Sequence, residues 1–469
     1  MSLATEGIAA GLGTAANPLR VAIVGSGPSG FYAAEALLKA PLAVEVDMLE
    51  RLPVPYGLVR YGVAPDHPRL KQPTVIFDKI AQSPGFRFFG NVAIDRDVSL
   101  EDLRATHHAI LFACGAEADR RLGLPNEDLP GSHTATEFVG WYNGHPDYRD
   151  RTFDFSAETA VIIGQGNVAI DVARILCKPV DDLRQTDIAD HALGALAASR
   201  VREIHLVGRR GPAQASFTTK ELRELGEIPG CAPVVGAADL ALNPACSSEL
   251  ERKTNFIAAA NVETLRGWAA NPVAAPGKRI FFHFLRSPVA FRGDARLQGI
   301  TFEHNALTGP PFEQLARGTG ELHDIACGLV FRSIGYRGRP IPGVPFDAGR
   351  GVFPNEAGRI SGAPGLYAAG WIKRGPSGII GTNRADAVAT VASILHDATN
   401  SEATGLNRHP KGGSAGLLAA LDRTGTRVVN YEAWRRIDSE ELRRGAELGR
   451  PRQKITRIEE MLALAGLPP

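Results

Sequence analysis

Twice in this chain a short apolar run ends in a glycine-rich turn that opens onto a helical pattern, and that repeat restricts the fold more than any other feature of the 469 residues. The first copy, VAIVGSGPSGFYAAEALL, sets Gly25, Gly27 and Gly30 in a GxGxxG array. The three glycines serve, in order, a tight turn, close approach of backbone to a pyrophosphate, and tight packing of helix on strand, with the helix N-terminus facing the phosphates. The next apolar run, VEVDMLE, ends in Glu50, where a carboxylate accepts hydrogen bonds from ribose hydroxyls and repels a 2′-phosphate. This turn suits FAD or NAD and disfavours NADP. The second copy, AVIIGQGNVAIDVARIL, has the GxGxxA form, Gly164, Gly166 and Ala169 with Asn167 and Val168 between them. Its following run, EIHLVGRR, ends in Arg209 and Arg210. Adjacent guanidinium groups hold a 2′-phosphate through charge-assisted hydrogen bonds of roughly 1.5–3 kcal/mol each, so this turn prefers NADP. An arginine pair is more often plain surface charge, but its place at the end of the second strand favours the phosphate role. Residues 178–200 lengthen the gap before Arg209 and read as an inserted loop and helix.

Further buried-strand patterns occur at 44–49, 108–113, 328–336 and 365–371, mostly separated by helical stretches. That alternation predicts an α/β fold with two Rossmann-like domains. Beyond residue 280 the sequence FFHFLRSPVAFRGDARLQGITFE predicts antiparallel strands with a turn at Gly293. The segment from Pro53 to Pro73 predicts an extended, ligand-lining loop. With 52 basic against 51 acidic residues the net charge is +1, which supplies no global field for nucleic acid or a membrane surface. Cys114, Cys177, Cys231, Cys246 and Cys327 are scattered without a CxxC, so metal sites, disulfide scaffolds and redox dithiols lack support. Residues 1–19 lack the basic start of a targeting signal and read as a flexible extension, and no run is long enough to span a bilayer. A cytoplasmic protein is expected.

One turn that rejects a 2′-phosphate and one that invites it imply two dinucleotides meeting at their redox-active ends, most simply a tightly held FAD and an exchangeable NADPH. Hydride then passes by contact, so positioning is the main demand and no protein nucleophile is needed.

The motifs VPYGLVRYGVAPDHP, FFGNV, GQGNVAIDVAR, GRRGPAQASFTTKELREL and GWIKRGPSGIIGTNRADA carry a resemblance that runs from about residue 20 to the C-terminus. The chain resembles the adrenodoxin reductase and bacterial NADPH–ferredoxin reductase family, whose activity is electron transfer between NADPH and an iron–sulfur ferredoxin. The resemblance implies FAD contacts at Ser29, Glu50, Leu58, Val92, Trp371, Gly378, Ile379 and Ile380, and NADP contacts at Gly166 to Ala169, Arg209, Arg210, Glu221 and Gly378. It places His67 near the flavin and nicotinamide, with Glu224 as a polar neighbour, to tune or protonate reduced flavin. Trp371 stands where many two-dinucleotide reductases carry an acid, as in this branch. The implied FAD domain is discontinuous, 20–116 and 336–469, with an NADP domain, 117–335, inserted after Gly115 and closed near Gly335. That layout allows relative domain rotation. A basic run from Arg435 to Arg457, mixed with Glu440, Glu441 and Glu447, reads as a solvated helical face. The implied partner is an acidic ferredoxin bound transiently, with Arg252 and Lys253 as docking candidates. The alternatives are an NADPH oxidase or diaphorase with another acceptor, and a flavin-binding redox sensor without turnover. A disulfide reductase lacks its dithiol.

Overall fold

The apolar runs become strands of two mainly parallel sheets in the computed structural model, which describes residues 11–272, 277–378, 380–400 and 405–467. In the first sheet Leu19–Val24 lies centrally, with Val44–Glu50 and then Phe86–Gly90 on one side. On the other side lie Ala109–Phe112 and Leu366–Ala368, followed by the short antiparallel strands Arg359–Ile360 and Asn355–Glu356. Runs such as Val21 to Ile23 are wholly buried because helices cover both faces, which is why their sequence shows no alternation. The second sheet runs Ser132–Thr134, Leu329–Arg332, Thr159–Ile163, Glu203–Val207, Lys278–His283 and Cys231–Val235, all pairs parallel. The chain passes between the sheets beside Gly115 and Gly335, where Ala118–Asp119 pairs antiparallel with Tyr336–Arg337.

The structure corrects several expectations. The Phe-rich pattern beyond residue 280 predicts antiparallel pairing from its start, yet Lys278–His283 joins the parallel sheet, and only Arg286–Arg292, Gly299–Thr308 and Leu315–Ala326 form the antiparallel one. A half-buried run of Phe and His fits either sheet, so the pattern alone cannot choose. Residues 11–18 are tied down rather than loose: the Ala43 amide donates to the Gly13 carbonyl at 2.8 Å, and Asn17 is buried. The loop from Pro53 to Pro73 contains a helical turn at Leu58–Tyr61 and a 3-10 turn at Pro68–Lys71. The inserted residues 178–200 form two short helices, Val180–Arg184 and Asp190–Ala197.

The C-terminal helix Tyr431–Glu447 is not merely a solvated face. It buries Trp434 and Ile437, and Glu441 is fully buried among charged partners: Arg60 donates to it, Arg452 Nη1 lies 2.8 Å away and the Ile455 amide 2.9 Å away. The segment that follows crosses to the second unit. There Lys454 Nζ sits 3.1 Å from Asp187, which also accepts from Lys71 Nζ at 2.7 Å, while Arg450 and Gln453 both reach Asp190. Burial pushes the Lys454 ammonium down to about 7. Burial opposes ionisation of Asp187 as well, but the Lys454 and Lys71 charges outweigh it and hold the carboxyl at about 2.

A carboxyl held low in the folded state contributes stability above its unfolded value and loses it as pH falls through the folded one. Asp187 should therefore supply about 2 kcal/mol at neutral pH that disappears between about pH 4 and pH 2. Urea midpoints measured across that window should drop further for the wild type than for Asp187→Asn.

Candidate cofactor sites and the ionic seam between them

The first fingerprint turn is built as its sequence requires. Gly25 has φ +108°, and a Cβ there would stand 2.6 Å from the Ala113 carbonyl oxygen. At Gly30 a Cβ would collide with the Gly25 carbonyl, whereas above Gly27 the space is open. The helix Pro28–Leu38 therefore presents its N-terminus to a clear backbone platform, the form an anionic pyrophosphate needs. Glu50 ends the next strand with its carboxylate accepting from Ser26 Oγ at 2.6 Å and from the Leu52 amide at 3.1 Å. Burial pushes its carboxyl upward against those hydrogen bonds. Val92 is buried and its amide donates to the Glu50 carbonyl at 2.9 Å, and the loop residue Gly57 packs against Gly27. Leu58, next in chain, is left exposed.

A third element closes this site. Ser29 Oγ lies 3.2 Å from Asn383 Oδ1, which joins the fingerprint helix to the long helix Ile380–Thr399. Trp371 opens a short helix after Gly370, its ring stacked on Tyr336 at 5.6 Å between centroids. Its indole Nε1 is buried with no hydrogen-bond partner. A buried donor without an acceptor is costly, and a polar ligand atom is what such a site lacks. Gly378 has φ +84°, and Ile379 lies outside the described residues. An open glycine platform, an acid at the end of the second strand and an orphaned indole donor fit a flavin dinucleotide.

The second turn follows the same logic with a different charge. Gly164 has φ +137° and no room for a Cβ against the Ser333 carbonyl, while Ala169 is fully buried under the helix Asn167–Cys177. Val168 packs partly buried against the second core. Asn167 Oδ1 accepts the Thr218 amide at 2.8 Å, which sets the start of the helix Thr219–Leu225 beside the turn. Arg209 and Arg210 stand exposed at the end of Glu203–Val207 and line a cavity of about 260 Å³.

Between the two turns lies a cluster that the motifs only half reveal. His67 Nε2 is 2.9 Å from Glu224 Oε2, joining the loop of the first unit to the Thr219–Leu225 helix of the second. Behind them Arg174, 2 % exposed, donates from Nε to Asp66 at 2.7 Å, from Nη2 to Asp171 at 2.6 Å and from Nη1 to Glu221 at 3.1 Å. Its Nη2 also faces His67 Nδ1 at 3.5 Å. Glu221 Oε1 lies 3.7 Å from the same Nδ1, so His67 stands between two carboxylates, Glu221 on one side and Glu224 on the other. Lys178 adds a second cation 2.9 Å from Asp66. Burial opposes charge on Asp66, but Arg174 and Lys178 hold its carboxyl well below the usual carboxylate range. Burial instead dominates at Asp171, which is pushed up to about 6 despite Arg174. Glu221 is thus engaged within the protein by Arg174. Sequence reasoning does not single out Asp66, Asp171 or Arg174, although the i,i+3 acid and arginine in IDVAR are a visible signal.

Two dinucleotide-type sheets joined across a buried ionic seam define a two-dinucleotide oxidoreductase. No family model matches the chain. It is 43% identical to NADPH-ferredoxin reductase FprA of Mycobacterium tuberculosis over 454 residues, covering 95% of this chain and 99% of that protein. It is 44% identical to the mitochondrial NADPH:adrenodoxin oxidoreductase of Salvelinus fontinalis over 460 residues (96% and 92%), and 43% identical to the human one over 455 residues (95% and 92%). The crystal structure of M. tuberculosis FprA in complex with NADPH superposes with a TM-score of 0.91 at 43% identity, covering 96% of this chain and 99% of that one. The chain belongs to the NADPH–ferredoxin and NADPH:adrenodoxin reductase family.

Replacing Asp66 by Asn should remove one of the three carboxylates that hold Arg174, leaving Asp171 and Glu221, and cost about 1.5–3 kcal/mol. Hydrogen exchange across residues 53–73 should accelerate relative to the wild type, with a lower urea midpoint.

Proposed function

We propose that this chain is an FAD-dependent reductase that passes electrons between NADPH and a ferredoxin-type iron–sulfur protein. The carrying observation is the opposed chemistry at the ends of the two second strands: Glu50 on one sheet, Arg209 and Arg210 on the other. Residues 20–116 and 336–469 hold FAD in this reading, and 117–335 hold NADP(H). Family membership supports it, since the named relatives are NADPH–ferredoxin and NADPH:adrenodoxin reductases.

In this reading Gly25, Gly27, Ser29 and Gly30 cradle the FAD pyrophosphate, Glu50 takes the ribose, and Leu58, Val92, Trp371, Gly378, Ile379 and Ile380 flank the rest. The bound flavin supplies hydride acceptance from nicotinamide and release of electrons singly to an iron–sulfur partner. The protein's own work is to bind and orient. Gly164, Gly166, Asn167, Val168 and Ala169 fix the NADP pyrophosphate, and Arg209 and Arg210 fix the 2′-phosphate. Glu221 holds Arg174 in place. His67 Nε2 and Glu224 Oε2 are in hydrogen-bond contact at the seam where, in this reading, the nicotinamide arrives.

An acidic ferredoxin would be steered by basic groups near the seam. Arg252 is exposed with its guanidinium 4.8 Å over Phe312, and Lys253 follows it; both remain docking candidates. Among the described residues no helix is long and apolar enough to cross a membrane. All five cysteines are free thiols, which supports a reducing compartment, proposed to be the cytoplasm.

Purified protein should be yellow and should bleach on anaerobic titration with NADPH; a yellow protein that NADPH leaves unbleached would support the non-turnover sensor instead. Replacing Arg209 and Arg210 together by Ala should raise KM for NADPH by on the order of 100-fold or more and barely change that for NADH. Equal losses for both nucleotides would refute the 2′-phosphate assignment. Ferredoxin reduction should slow as ionic strength rises, and a flat salt profile in stopped-flow would remove the docking idea.

A further inference from the structure

The antiparallel sheet has no part in either dinucleotide turn, yet one of its strands forms a wall of the cavity beside Arg209 and Arg210. That cavity, about 260 Å³, is completed by Gln314, Leu315, Ala316 and Arg317 of the Leu315–Ala326 strand and its approach. The contact between the two elements is built in. Asn305, 2 % exposed, donates from Nδ2 to the Arg209 carbonyl and to Ser287 Oγ, both at 2.9 Å. Its own amide reaches the Leu285 carbonyl at 2.7 Å, and the Leu285 amide reaches the Arg210 carbonyl at 3.0 Å. An irregularity between Glu303 and Asn305 shifts the pairing so that Ala306 stands opposite Arg317. The antiparallel sheet is therefore fastened to the arginine turn at main-chain level, with Arg317 one register step from the fastening.

The charges in this cavity are countered by the protein only through the attraction of Glu249 for Arg210, without a contacting partner. None of the Arg209, Arg210 and Arg317 guanidinium groups has a hydrogen-bond or ion-pair partner among the described residues. Burial, and after it the Arg209 charge, push the Arg210 guanidinium down from its ordinary value. Glu249 is already committed: its carboxylate accepts from Gln214 at 2.7 Å, Gln314 at 2.8 Å and the Phe312 amide at 2.7 Å. Gln314 in turn accepts from Asn243 at 2.7 Å, so this wall is held rigid. Cations gathered around one cavity without a contacting counter-charge are arranged for an anion with several acceptor oxygens.

We propose that Arg317 is a third specificity-determining cation for the 2′-phosphate of NADP(H), supplied from outside the dinucleotide-binding sheet. The proposal rests on the reading of Arg209 and Arg210 as the 2′-phosphate site and extends it to a residue that no fingerprint includes. The antiparallel sheet then has a function: it closes the adenosine end of the pocket and selects the phosphorylated nucleotide.

The test is calorimetric titration of the full-length protein with adenosine 2′,5′-bisphosphate and with adenosine 5′-monophosphate, which differ only in the 2′-phosphate. Arg317→Ala and Arg317→Gln should each weaken the bisphosphate by about tenfold or more and leave the monophosphate unchanged. Arg317 is exposed, so both variants should keep the wild-type unfolding midpoint. Wild-type affinity in both Arg317 variants, with loss confined to Arg209→Ala/Arg210→Ala, overturns the proposal and leaves the underlying reading standing. Unchanged bisphosphate affinity in all the variants overturns both. Equal weakening of the two nucleotides by Arg317→Ala also overturns it, because a phosphate-specific contact cannot act on a ligand without that phosphate.

Discussion

The geometry of this protein depends on one buried guanidinium. Arg174 projects from the second fingerprint helix, which packs under the NADP-type turn, and grips Asp66, the residue next to His67 in the loop of the first unit. Removing a guanidinium from water costs several kcal/mol, and the cost is met only by well-placed carboxylates. Asp66, Asp171 and Glu221 supply them from three different elements. Together with Glu224, these acids outnumber the cations Arg174 and Lys178, and burial pushes the Asp171 carboxyl up to about 6 despite Arg174. Networks of this kind add little net stability compared with apolar packing, but they tolerate few alternative geometries. In this chain the network sets how the two sheets face each other and where His67 stands between them.

The two turns also differ in whether their polar groups are already satisfied. Glu50 is held by Ser26 and Leu52 before any ligand arrives, so its carboxylate is fixed in place and no rearrangement is needed to receive a ribose. Arg209 and Arg210 stand exposed, repel each other and have their backbone, but not their charges, secured by Asn305 and Leu285. A pre-set, buried site favours a nucleotide that stays, and an exposed site with uncompensated charge favours one that comes and goes. Under the proposed assignment of Glu50 to FAD and of Arg209 and Arg210 to NADP, the same contrast separates a resident cofactor from an exchanging one.

Local features are legible in the sequence and long-range ones are not. The strand, turn and helix around Gly25 and Gly164 can be read because each glycine's role is decided by atoms within a few residues or by an immediate neighbour strand. Glu50, Arg209 and Arg210 can be read because a strand end is a fixed offset from its turn. Lys278–His283 cannot be assigned, since parallel and antiparallel strands of its length carry the same pattern, and the partner strand Glu203–Val207 is distant in sequence. Glu441 sits in a helix so rich in charge that nothing local marks it as buried; its partner Arg60 lies 381 residues away. Asp66 is hidden for the same reason, although its neighbour His67 stands out through the family motif. The same motifs pair His67 with Glu224, and the two side chains are in hydrogen-bond contact.

The insertion of one unit within the other implies freedom to rotate about the paired strands Ala118–Asp119 and Tyr336–Arg337. The C-terminal segment argues against large excursions. Lys71 and Lys454 converge on Asp187, Arg450 and Gln453 on Asp190, and Arg457 on Asp150, so the tail of the first unit is fastened to the second at several points besides the Arg174 seam. Opening the units would separate Arg174 from Asp66 and Lys71 from Asp187. The Arg174–Asp66 pair is buried and its rupture costs far more than that of the exposed Arg457–Asp150 pair. Under the proposed assignment, exchange of the nicotinamide nucleotide is directed to the end where the arginines and the antiparallel sheet meet solvent, rather than through separation of the two sheets.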